Sequence, residues 1–147
     1  MKNFLQLLAQ AVSIVKKDIP SAKFCEADGT PSKGTAQQES DVDTWLFRFM
    51  VPPTKSASIE YEHGSFQLPV LTFQPILGDR IIPLPLKMGL KEAMKRKDAA
   101  GYKSPFKYVL LRWPLTQDND EPLYIFRESA RYVFVGVNTG DVSTSKA

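Results

Sequence analysis

The hydrophobic and polar positions divide the chain into helical and strand-like stretches. Phe4, Leu8, Ala11, Val12 and Val15 recur at the spacing of one helix face, which predicts a helix from about Asn3 to Lys17. Lys16 and Lys17 suit its negative end, and Pro20 stops it. Phe24 and Cys25 read as a short strand. Glu26–Thr44 lacks apolar periodicity and is rich in turn formers, so it reads as one long mobile loop. Trp45–Val51 alternates as a strand does, with Trp45, Phe47 and Phe49 opposite Leu46, Arg48 and Met50. A strand over Ala57–Glu62 turns at His63-Gly64-Ser65 into a strand over Phe66–Phe73, where Pro69 marks an edge or a bulge.

Gln74–Leu86 carries Pro75, Gly78, Pro83 and Pro85 and reads as a connector. A short helix follows, capped by Gly89 and closed by Gly101, with an apolar stripe of Leu90, Ala93 and Met94. Strands are predicted over Phe106–Trp113, Pro122–Arg127 and Tyr132–Asn138. They are joined by the polar loop Gln117–Asp120 and a turn at Glu128–Arg131. Thr139-Gly140-Asp141 then turns the chain out. The order helix, strand, loop, strand, turn, strand occurs twice. The expected fold is therefore α+β: two tandem helix-plus-three-strand units, 1–78 and 79–147, forming one antiparallel sheet with both helices on one face.

Composition narrows the chemistry. The chain has 147 residues with a single Cys and a single His. That excludes an internal disulfide framework and leaves no Cys/His cluster for zinc, and no metal or cofactor is expected. There is no apolar run of the 18 or more residues a membrane-spanning helix needs. Met1–Val15 is read as a helix rather than a cleaved leader because Gln6 and Gln10 interrupt its apolar stretch. With no leader, the lone Cys25 fits a reducing compartment, and the cytoplasm is slightly favoured over secretion. The net charge of +3 is local. Lys87, Lys91, Lys95, Arg96, Lys97, Lys103, Lys107 and Arg112 face only Glu92 and Asp98, which reads as the solvated face of the second helix and its loop. Nucleic-acid binding by that helix is the weakest of the functional readings, since no groove-reading motif accompanies the charge.

Catalytic patterns are thin. Cys25 and His63 follow the order of a thiol–imidazole pair, but Cys25 precedes a loop instead of opening a helix that would lower its pKa. Glu60 and Glu62 share a strand face and read as solvated carboxylates. Phosphate-loop and nucleophile-elbow motifs are absent.

The last third, with Tyr132-Val133-Phe134-Val135-Gly136-Val137-Asn138-Thr139-Gly140-Asp141-Val142 as its signature, resembles a PepSY-type module. The tandem arrangement resembles the β-lactamase inhibitory proteins, whose concave sheet grips an enzyme. These resemblances imply a noncatalytic module that binds a protein partner such as a hydrolase.

Strand register sorts the faces. A turn centred on Ser129-Ala130 pairs Arg127 with Tyr132 and Ile125 with Phe134. Tyr124, Phe126, Val109, Leu111, Val133 and Val135 then face the helices. Arg48, Tyr108, Leu110, Arg112, Ile125, Arg127, Tyr132 and Phe134 face outward and form the expected partner-binding set, a composition typical of interface hot spots. A homodimer through this face is the competing arrangement, and a small-molecule pocket or enzyme site between sheet and helices is the alternative function.

Overall fold

The computed structural model describes residues 2–116 and 118–147. Two helices, α1 (Phe4–Asp18) and α2 (Leu90–Ala99), accompany nine strands: β1 (Lys23–Thr30), β2 (Thr44–Val51), β3 (Lys55–Glu62), β4 (Ser65–Phe66), β5 (Val70–Thr72), β6 (Phe106–Arg112), β7 (Leu123–Glu128), β8 (Arg131–Gly136) and β9 (Val142–Lys146). All pairings are antiparallel, in the order β4-β3-β2-β1-β6-β7-β8-β9, with β5 also on β3. The α+β class holds, but the division into two helix-plus-three-strand units does not. The first helix is followed by five strands and the second by four, in one nine-stranded sheet.

β1 is the strand that most changes the arrangement. Residues expected to begin a mobile loop form a strand at the middle of the sheet, paired to β2 and β6. Its sequence, KFCEADGT, is poor in strand formers because its inner positions must be small. A Cβ on Gly29 would come within 2.6 Å of the Trp45 ring, and Ala27 is fully buried. Glu26 and Asp28 project from the opposite face, where Arg48 of β2 and Arg112 of β6 meet Glu26. The rest of the expected loop is also ordered. Ala36 bridges to Phe106, Val42 joins the core, and the 3-10 turn Glu39–Asp41 packs against α2. This segment therefore lies on the helix side of the sheet.

Smaller differences have local causes. The strand expected over Phe66–Phe73 is split into β4 and β5, because Pro69 has no N–H to continue the ladder. His63 (φ 52°) and Gly64 (φ 80°) form the tight turn before it. After Thr139-Gly140-Asp141 the chain does not leave the sheet but returns as β9 on β8. Glu121 holds that turn, accepting from the N–H groups of Asn138 (2.8 Å) and Thr139 (3.0 Å) and from the Thr139 hydroxyl (2.7 Å). The signature residues 138–141 thus build a turn, and Val142 opens β9.

α1 begins with a reciprocal cap. The Asn3 side chain accepts from the Gln6 N–H, and the Gln6 side chain accepts from the Asn3 N–H, both at 2.9 Å. Phe4, Leu7, Leu8, Ala11 and Val15 are buried from α1, and Leu90, Ala93 and Met94 from α2, in one core with the sheet's inner face. Phe4 lies 4.6 Å from Trp45 and 6.1 Å from Tyr124, ring centre to ring centre, so α1 spans the boundary between the two halves. Each such buried aromatic contributes about 1.5–3 kcal/mol through burial.

Candidate functional site

The outer face of the sheet is ordered in rows set by the strand register. One row runs Glu60, Leu46, Asp28, Leu110, Ile125, Phe134 and Ser143 across seven strands. A second row, beside it, holds Arg48, Glu26, Arg112, Leu123 and Gly136. A third holds Tyr108, Arg127, Tyr132 and Ser145. All eight residues expected on this face lie on it, and the predicted pairs Arg127–Tyr132 and Ile125–Phe134 form. The middle row is apolar from Leu110 to Phe134, bordered on one side by Tyr108, Arg127 and Tyr132 and on the other by Arg112, Leu123 and Gly136.

These residues are half-buried, with one exception. Ile125 lies on the outer face but is only 8% exposed, enclosed by Leu110, Phe134 and the nearby loop after β6. Tyr132 and Phe134 are 6.4 Å apart, and the Arg127 guanidinium sits 5.0 Å over the Tyr132 ring. Beside this patch is a cleft of about 490 Å³, floored by Leu123, Ile125 and Phe134 and bordered by Asp118, Asp120, Glu121 and Asp141.

Arg48 and Arg112 are not free cations. Arg48 Nη1 donates to Glu26 Oε2 at 3.2 Å, and Arg112 Nε donates to Asp79 Oδ1 at 2.7 Å and lies 4.0 Å from Glu26. Asp79 comes from the connector, which crosses the ends of the strands here. Three carboxylates, Glu26, Asp28 and Asp79, thus gather around two guanidinium groups. Burial, and then the Glu26 carboxyl beside it, raises Asp79 to about 6. Burial also raises Glu26 and Asp28. No sequence pattern announces this cluster, because Asp79 is distant in sequence and Glu26 lies in what reads as a loop.

The remaining candidates separate. Cys25 sits in an irregularity of β1, its thiol donating to the Arg48 carbonyl at 3.4 Å. Burial, and then Asp79 and Glu26, pushes the thiol up to about 12, so it is a poor nucleophile. His63 is exposed at the β3–β4 turn, and β2 lies between the two strands concerned. Glu60 is exposed on the outer face. Lys97, expected on a solvated basic face, is 2% exposed. Its ammonium donates to the Tyr102 carbonyl at 2.7 Å and pairs with Asp98 and Glu128 at 3.3 and 3.6 Å. Among the described residues no group of Cys, His, Asp and Glu has the arrangement of a metal site, and no helix is long and apolar enough to cross a membrane.

No family model matches the chain, and no curated protein matches it. Among solved structures, the fold is similar to that in a crystal structure of a putative lipoprotein from Clostridium difficile 630. The TM-score is 0.64 and the identity 12%, and the match covers 100% of both chains. At that identity the likeness is one of fold.

Proposed function

We propose that the chain is a noncatalytic protein-binding module that holds its partner on the outer face of the sheet. The observation that supports this reading is the middle row, in which half-buried Leu110 and Phe134 flank the enclosed Ile125 on a face that neither helix covers. The segment that could have folded over it, residues 31–43, packs on the helix side instead. Arg127 and Tyr132 are already stacked on one another, so little side-chain freedom remains to be lost on binding. Aromatic and Arg side chains around an apolar centre are the composition that dominates interface energetics. The PepSY-like resemblance at residues 132–142 agrees with a binding role, and an inhibitor or adaptor is the form it would take.

The test is affinity capture from the native cell with the wild-type chain and a Tyr132→Ala, Phe134→Ala variant. The reading expects one or more proteins retained by the wild type and lost by the folded variant. Equal retention by both would refute it.

A further inference from the structure

The two edges of the sheet are finished differently. At one, β3 is bordered by the two-residue β4 and the three-residue β5, and Pro69 between them has no N–H to continue either ladder. At the other, β9 runs five residues, VSTSK, in unbroken register with β8 and without Pro or Gly. Among the described residues no strand pairs with its far side. Free edges are ordinarily blocked by Pro, a bulge or charges, and the one charge in β9 is Lys146 at its end.

The bonds on either side of β9 show which of its backbone groups are free. The Gly136 N–H donates to the Asp141 carbonyl at 2.9 Å just before it, and the Ala147 N–H to the Ala130 carbonyl at 3.3 Å just after it. Opposed residues in an antiparallel ladder alternate between bonded and non-bonded pairs. Ser143 and Ser145 are therefore the residues bonded to Phe134 and Tyr132. Val142, Thr144 and Lys146 turn their N–H and C=O groups to the free edge.

We infer that β9 pairs antiparallel with β9 of a second copy of this chain, about a two-fold axis at Thr144, so that one sheet runs through both copies. The free groups are self-complementary in that register. Thr144 opposes its own counterpart, and Val142 and Lys146 oppose each other, so every free N–H and C=O of the strand finds a partner. Lys146 meets Val142 and not a like charge. Ser143 and Ser145 oppose each other on the outer side, and cross-strand hydroxyl pairs such as these and Thr144–Thr144 are favourable. A foreign strand would be selected by the side chains beside the edge. The three central positions of β9 offer it only short hydroxyls, which a second copy matches with its own.

The helix side is compatible with this pairing. α2 packs on β8. Three strand spacings of about 4.8 Å would separate the two copies of α2, more than the roughly 10–12 Å of a helix diameter. The side of α2 toward β9 carries the paired Glu92 and Arg96, since a Cβ on Gly140 would meet Arg96 Nη1 at 2.7 Å. Lys91 and Lys95 instead line a cleft with residues of the 3-10 turn Glu39–Asp41, so the basic face of α2 is turned away from its copy. The outer face of the sheet stays open in both copies.

Sedimentation velocity on the full chain, from about 1 to about 500 µM, covers weak association of this kind. A concentration-dependent dimer is expected. Thr144→Pro removes a free-edge N–H and none that bonds β8, so it should keep a cooperative melt and self-associate about tenfold or more weakly. The register is tested by mixing Ser143→Cys chains with Ser145→Cys chains under mild oxidation. Those positions would oppose each other at about 4.5 Å between Cα atoms, within reach of a disulfide, and should crosslink. Either chain alone, with like positions about 7–8 Å apart, should not. The buried Cys25 does not compete. A wild type that stays monomeric throughout would overturn the inference. So would a dimer indifferent to Thr144→Pro, or a mixture that crosslinks no faster than each chain alone.

Discussion

The two faces of this sheet each hold a charged cluster, but the clusters are built to different rules. On the helix side, Lys97 is sealed among the Tyr102 carbonyl, Asp98 and Glu128, and Glu128 also accepts from Arg131 at 2.8 Å. Two cations meet two carboxylates, with the Phe106 and Phe126 rings 5.8 and 5.6 Å from the ammonium. On the outer side, three carboxylates meet two arginines, so one negative charge is in surplus and protons are held more tightly than usual. The balanced cluster pins α2 to the sheet. The unbalanced one ties the connector to the outer face and makes that tie sensitive to pH.

The contrast can be broken first on the helix side. Phe47→Ala should cost about 3–5 kcal/mol in urea unfolding, since Phe47 is fully buried beneath Phe4 and Trp45. Lys97→Ala should cost about 3 kcal/mol, because Glu128 loses a partner at a site closed to water. On the outer face, Phe134→Ala should cost no more than about 1–2 kcal/mol, since its ring is only half-buried. A loss as large as that of Phe47→Ala would mean the outer face is core rather than binding surface.

The pH response sharpens the same comparison. Asp79 has its folded-state pKa raised from 3.8 to about 6, so between those values the folded chain binds more protons than the unfolded one. Its contribution to stability is full below about pH 4 and is lost as pH rises through about 6. Thermal melts should therefore show an Asp79→Asn variant gaining relative to wild type between pH 5 and pH 7.5. A constant difference across that range would show that Asp79 does not titrate there. The smallest effect belongs to the exposed pair Glu92–Arg96 on α2, 3.1 Å apart, where Glu92→Gln should change stability by only about 0.3–0.5 kcal/mol.

What the sequence discloses follows the same division. Register in β7–β8 is legible because a two-residue turn fixes it, and with it the two faces of the second half. Both helices are legible from apolar spacing and their caps. β1 is legible only at Phe24 and Cys25, because beyond them its inward residues, Ala27 and Gly29, are small to admit Trp45 and its outward Glu26 is acidic to meet Arg48 and Arg112. Both reasons lie on other strands. Lys97 is illegible for the same cause: its neighbours Lys91, Lys95 and Arg96 are exposed, and only packing against Glu128 and two Phe rings singles it out. The stretch after β5, by contrast, is apolar in the sequence. Its prolines make residues 74–86 read as a connector, and only the packing shows that Ile82 enters the core while Leu77, Ile81 and Leu84 stay exposed.

The central claim is that the bare face of the sheet receives the partner. Its most direct test places a photo-crosslinking phenylalanine analogue at Leu110, in the middle row, and in a separate chain at Lys91 on the exposed side of α2. Irradiation in the native cell should yield a crosslinked partner from position 110 and none from position 91. A partner captured from position 91 but not from 110 would contradict the claim.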